Sequence, residues 1–113
     1  MGLPVTQRET DILEYKSGEW VVGKGNNEIA DELARNIVRD KGNAKIIIIG
    51  ISEDLQRIIP VNCTRFRSER IDTIEEKLKE NLKSHYVKVL KVDFSPTDCI
   101  LLIVAIRLTK TLV

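Results

Sequence analysis

Four isoleucines in a row, Ile46-Ile47-Ile48-Ile49, followed by Gly50 and Ile51, constrain this 113-residue chain more than any other segment. Side chains branched at Cβ lose rotamer freedom in a helix and pack well on a pleated surface. An unbroken run of them predicts a strand over residues 45–51. No polar residue alternates along the run, so both faces of the strand are expected to be buried. A strand of that kind needs neighbouring strands and a covering layer of helix, which calls for a mixed α and β architecture.

Two helices can be read on either side. Ile29, Leu33 and Ile37 repeat every four residues, and so do Ala30, Ala34 and Val38, making one apolar stripe. Asn26 or Asn27 can cap its start, Glu28, Asp31 and Glu32 suit the positive end of its dipole, and Gly42 can stop it. In the second helix Ile71, Ile74, Leu78 and Leu82 form the apolar face, and Asp72 with Glu75 has capping-box spacing. Residues 12–16 read as a short strand and residues 19–22 as a brief one. Ile58-Ile59-Pro60 reads as an edge piece, because proline cannot donate to a ladder. Residues 87–94 and 99–106 read as a hairpin about the turn Ser95-Pro96-Thr97-Asp98, with a bulge expected where Val89 and Leu90 adjoin. The expected fold is α+β, with two helices packed on one face of a mixed four-stranded sheet in the order β-α-β-α-β-β. One domain is expected over residues 1–113, with residues 1–8 as a loose lead-in.

The net charge of +1 gives no global field to drive association. Its distribution is uneven. Residues 1–54 hold 7 Lys and Arg against 10 Asp and Glu, whereas residues 55–113 hold 11 against 7. An acidic half beside a basic half fits a site next to a binding surface, and it equally fits ordinary solvated charge. Cys63 and Cys99 form no C-x-x-C pair, so no zinc knuckle is indicated. The start of the chain lacks a charged-then-apolar signal region, and its longest apolar run is too short to span a bilayer. A reducing, cytoplasmic setting without membrane contact is the expectation.

Charged residues that can carry chemistry gather in four places. The run Glu9-Thr10-Asp11-Ile12-Leu13-Glu14-Tyr15-Lys16 sets two glutamates five residues apart, with a lysine close behind. The isoleucine strand runs into Ser52-Glu53-Asp54. Acids there can hold a divalent metal or steer a basic partner, and they can also be merely solvated. Gly23-Lys24-Gly25-Asn26-Asn27 precedes a helix start, where flexible backbone can cradle an anion, although Walker spacing is missing. Arg57, Arg65, Arg67 and Arg70 crowd one segment with Phe66 among them, a composition suited to phosphate contact and base stacking or to a plain solvated loop. Lys77, Lys83, Lys88 and Lys91 can extend that surface. Trp20 can stack on a base or cover the sheet edge. The lone His85 follows a helix end and reads as a helix C-terminal cap, with no motif for nucleophilic catalysis around it.

The order of elements and these motifs resemble the Schlafen AlbA-type domain, an Alba-like family formerly called a divergent AAA domain. Its opening pattern Glu-Ser/Thr-x-x-x-Glu-Phe-Lys is matched by Glu9-Thr10-Asp11-Ile12-Leu13-Glu14-Tyr15-Lys16. Its strand ending in Gly-Val-Asp-Asp is matched by Gly50-Ile51-Ser52-Glu53. The likeness spans residues 9 to about 107. The chain departs from the pattern where Asn36-Ile37-Val38-Arg39 replaces a small-residue stretch, where Gly42-Asn43 replaces paired glycines, and where Ser52 replaces the first acid. The resemblance implies a nucleic-acid-binding domain. It also implies, as in relatives that cut RNA, a three-carboxylate site at Glu9, Glu14 and Glu53 holding Mg²⁺ or Mn²⁺.

Three functions follow. The leading one is a module that contacts the phosphate backbone of RNA or DNA through Lys16, Lys24, Arg65, Arg67 and Arg70. The second is a metal-dependent endoribonuclease using Glu9, Glu14 and Glu53. The third is a nucleotide-binding or oligomerising domain whose exposed strand edges pair into a homodimer.

Overall fold

The computed structural model describes residues 12–40, 42–54 and 57–108. The expected lead-in and Glu9 lie outside the described residues. Nine regular elements follow one another: β1 (Leu13–Lys16), α1 (Asn26–Arg39), β2 (Ala44–Ile49), β3 (Ile51–Ser52), β4 (Arg57–Ile58), β5 (Val61–Asn62), α2 (Ser68–Asn81), β6 (His85–Asp93) and β7 (Asp98–Arg107). The class is α+β, with two helices and a mixed sheet. The four longest strands and both helices keep the expected β-α-β-α-β-β order.

The main sheet has five strands rather than four. β1 lies parallel to β2, with Leu13 opposite Ile46 and Lys16 opposite Ile49. β2 runs antiparallel to β7, from Ala44 opposite Ile106 to Ile49 opposite Leu101. β6 takes the other edge of β7, from His85 opposite Arg107 to Asp93 opposite Cys99, in unbroken register. The expected bulge at Val89-Leu90 is therefore absent from this ladder. Cys99 also pairs with Val61, so β5 lies on the same edge of β7 as β2. β2 and β5 fill one lane beside β7, and the chain leaves that lane between them. During the detour β3 and β4 form a separate antiparallel ribbon, Ile51 opposite Ile58 and Ser52 opposite Arg57. Gly50 makes the exit possible. Its φ of 129° is open to glycine and strained for other residues, and an added Cβ would meet Ile100 at 3.0 Å.

Alternation sets the core. Ile47 and Ile49 of β2, Val87 and Val89 of β6, and Leu101, Ile103 and Ala105 of β7 all point to one side and are buried. Ile29, Leu33 and Ile37 of α1 and Ile71, Ile74 and Leu78 of α2 close over them in one cluster. Each such aliphatic side chain contributes about 1.5–3 kcal/mol on burial. The isoleucine strand is buried on this side only, since Ile46 and Ile48 remain partly exposed. The run of four adjacent isoleucines marked the strand correctly and overstated its cover.

Other local expectations change for identifiable reasons. Residues 18–21 form a 3-10 turn instead of a strand, with Ser17 Oγ accepting from the Glu19 N–H at 3.2 Å. Gly25 caps α1 without a side-chain bond, and Val38 lies 58% exposed off the stripe. α1 ends at Arg39 with Asp40 as its cap, two residues before Gly42. α2 starts at Ser68, four residues before Asp72, so Asp72 and Glu75 do not cap it. Glu75 reaches across to accept the Val89 N–H at 2.9 Å. His85 caps α2 only through its backbone, its N–H donating to Leu82 O at 3.0 Å. Burial, then the charge of Arg107, lowers the His85 pKa. No helix among the described residues is long and apolar enough to cross a membrane.

The 3-10 turn is pressed against the chain returning to β5. Gly18 N–H donates to Ile59 O at 2.8 Å, and a Cβ on Gly18 would stand 2.1 Å from Pro60 O. Both nearby atoms are backbone, so neither can rotate away. Gly18→Ala is expected to lower stability by roughly 1–3 kcal/mol, read as a lower urea midpoint with an unchanged far-ultraviolet circular dichroism spectrum.

Candidate phosphate-binding site

The contact at Gly18 forms one wall of a pocket of about 290 Å³. Val21, Val22 and Lys24 line it from the first loop, and Pro60, Val61, Arg65, Phe66 and Arg70 line it from the segment entering α2. Two stretches about forty residues apart in sequence thus meet because β5 lies in the lane of β2. Lys24, Arg65 and Arg70 come together here, and Glu19 sits on the rim.

Arg70 holds the two stretches together. Its Nε donates to Asn26 Oδ1 at 2.6 Å, its Nη1 to Arg65 O at 3.0 Å and its Nη2 to Lys24 O at 2.7 Å. Its guanidinium lies 4.1 Å from the Phe66 ring centroid. The rigid planar fork of arginine suits three acceptors in fixed directions. Among the described residues no carboxylate pairs with Arg65, Arg67 or Arg70. Burial, and then the charge of Arg65, pushes the Arg70 pKa below its ordinary value. Two guanidiniums therefore face one space with no carboxylate of the described residues bonded to either. Arg65 and Arg67 are exposed, and Arg67 is the cap residue of α2. Phe66 is 2% exposed, so it supports Arg70 and is closed to a base.

Lys16 and Lys24 are more committed. Trp20 lies between them, with the Lys16 ammonium 4.8 Å and the Lys24 ammonium 4.2 Å from its ring centroid. Of the two readings of Trp20, base stacking or structural cover, the packing accords with the second: both ammoniums lie over its ring and it packs against the core. Lys24 Nζ donates to Trp20 O at 2.6 Å and lies 3.7 Å from Glu32 Oε2, a buried atom without a hydrogen bond. Lys16 borders a second cleft with Tyr15, Trp20, Ser52, Glu53 and Asp54.

The acids are placed differently from the three-carboxylate pattern. Glu14 Oε2 lies 3.1 Å from Lys16 Nζ and Glu14 Oε1 lies 3.1 Å from Lys45 Nζ. Lys45, buried under the end of α1, also pairs with Asp40. A carboxylate with an ammonium on each oxygen is a poor ligand for a divalent cation, so Glu14 as arranged does not fit Mg²⁺ or Mn²⁺. Glu53 lines the second cleft, and Glu9 lies outside the described residues. Among the described residues no three His, Cys, Asp or Glu side chains form a group fit for a metal ion. The Lys45–Asp40 link has no sequence motif and became visible only through the packing of α1 on β2.

No protein-family model matches the chain, and no curated protein matches it in sequence. What the fold defines is a two-helix, mixed-sheet α+β protein with a small basic pocket at the helix starts.

Two predictions follow from these bonds. At Glu14 burial raises the pKa, and the hydrogen bonds and charges of Lys16 and Lys45 outweigh it, leaving the carboxyl below its ordinary 4.5. A depressed carboxyl stabilises the fold above its unfolded-state value and loses that contribution as pH falls through the folded value. Glu14→Gln is expected to cost roughly 1–3 kcal/mol at neutral pH and to flatten the fall in urea midpoint below pH 4.5. Arg70→Lys keeps the charge and loses the fork, so a loss of about 1–3 kcal/mol is expected in the same assay.

Proposed function

We propose that this chain is a nucleic-acid-binding module that contacts the phosphate backbone of RNA or DNA at the Lys24–Arg65–Arg70 pocket. The observation that carries this reading is the meeting of Arg65 and Arg70 without a bonded carboxylate. Two guanidiniums that meet without a carboxylate bonded to either favour a ligand of the opposite sign. Exposed Arg65 and Arg67 make the phosphate contacts. Arg70 holds the pocket in shape, and Lys24 adds charge from a position fixed by Trp20 and Glu32. Lys16, held by Glu14 and Trp20, supports the loop more than it meets a ligand. Contacts of this kind fix position without reading sequence, so little base preference is expected.

The motif order shared with the Schlafen AlbA-type family supports the same function, and we propose membership of that family on those residues. The two cysteines are buried and unpaired. Free thiols suit a reducing compartment, so we place the module in the cytoplasm.

Fluorescence anisotropy with labelled tRNA and a labelled DNA duplex tests the reading. Micromolar binding that weakens with salt is expected. Arg65→Ala with Arg67→Ala should reduce affinity at least tenfold and lower the salt slope by roughly 1–2. The melting temperature should be unchanged, since neither guanidinium is bonded to another of the described residues. Absence of binding to both ligands at low salt, or full affinity in the double variant, refutes the reading.

A further inference from the structure

The sheet has a second face that no helix among the described residues covers. Three cross-strand rows build it: Ala44, Ile106 and Tyr86; Ile46, Val104 and Lys88; Ile48, Leu102 and Leu90. Tyr86 is 51%, Leu90 42%, Val92 52% and Ile106 44% exposed. Monomers seldom leave large apolar side chains clustered in this way, and such patches mark interaction surfaces.

Charge on this face is nearly absent. Lys88 and Asp98 are the charged residues among the described strand positions there, and the Lys88 ammonium lies 3.7 Å from Glu75 of α2. A second copy meeting this face would meet one cation and one anion, with no excess of either sign. A partner chosen by charge would find nothing to recognise.

The outer edge of β6 is closed to strand addition midway, where Glu75 already accepts the Val89 N–H. Association through this part of the sheet must therefore use the face rather than the edge.

The area is sufficient. The three strands β2, β7 and β6, of 6, 10 and 9 residues, lie about 4.8 Å apart with a rise of about 3.3 Å per residue, giving a platform on the order of 15 Å by 20–30 Å. With side-chain relief, two such platforms remove on the order of 1,000 Å² from water, which meets the need of a specific interface.

We infer that a second copy of this chain docks on the uncovered sheet face, forming a two-fold dimer by sheet-on-sheet packing. Aligned sheets about 10 Å apart interdigitate side chains of this kind. A two-fold contact uses the same patch on both partners, as a flat apolar face allows. The inference is independent of the basic pocket.

Sedimentation equilibrium of the full chain from about 1 to 100 µM tests it. The mass is expected to rise from 12.9 kDa toward twice that value. Leu90→Asp and Ile106→Asp, each at a partly exposed site, should raise the dissociation constant at least tenfold while keeping the native circular dichroism spectrum. Wild-type chain that stays monomeric throughout overturns the inference, as does a dimer that both folded variants leave intact. Should a variant fail to fold, carbene footprinting of the wild type decides. Labelling of Tyr86, Leu90 and Val92 should fall as concentration rises. Undiminished labelling in a dimer overturns the inference. Protection already complete in the monomer, as a covering segment of the same chain would give, overturns it too.

Discussion

Strand β7 carries hydrogen-bonded partners on both edges, and the rest of the molecule is arranged by that fact. β6 runs along one edge, and β2 and then β5 share the other. Its side chains alternate between fully buried and partly exposed from Cys99 to Ala105. One set is sealed under both helices, and the other lies beneath no helix of the described residues. Backbone amides in a two-sided ladder have no water to return to, so this strand is expected to open last. Cys99 lies within it, and burial foremost pushes its thiol up to about 11. At that value it acts as a small apolar side chain and not as a nucleophile.

Cations around the candidate site and Glu14 divide into two groups by what already holds them. Lys16, Lys24, Lys45 and Arg70 are tied to carboxylates, carbonyls or rings and keep loops and helix ends in place. Arg65 and Arg67 project from the same segment with no such ties among the described residues. Counting basic residues in a sequence does not separate the two groups, because the division depends on acceptors brought in from distant positions. Asn26 and Arg70 are 44 residues apart, and their bond follows from the packing of both helices on one face.

What the sequence made legible was periodicity. Four-residue repeats located both helices, and the isoleucine run located β2. The hairpin of β6 and β7 followed from the turn residues between them. Boundaries failed where a side chain had a better partner elsewhere. Glu75 had the spacing of a cap and was drawn to Val89 instead. Residues 19–22 had strand-like composition, yet Ser17 and the contact at Pro60 folded them into a 3-10 turn. In the candidate site Lys24, Arg65 and Arg70 were identified, but not that they share a pocket, since nothing local signals that Val61 continues the lane of Ile49. Glu14 was noticed as an acid, while its engagement by Lys45 depended on a helix end arriving above it.

The shared lane of β2 and β5 has a consequence for how such a chain can vary. Gly50 and Val61 bracket a detour that begins and ends at fixed points along β7. The ribbon of β3 and β4 is an appendix to an interrupted strand rather than a link in the sheet. Lengthening it between Asp54 and Arg57 leaves every ladder of β7 in register, and doubling a loop adds only about 0.6 kcal/mol of closure cost. Removing it altogether would fuse the two short strands into one and delete the backbone at Ile59 and Pro60 on which the 3-10 turn rests. Related chains would therefore be expected to differ freely in the length of this ribbon and hardly at all in the positions of its two ends.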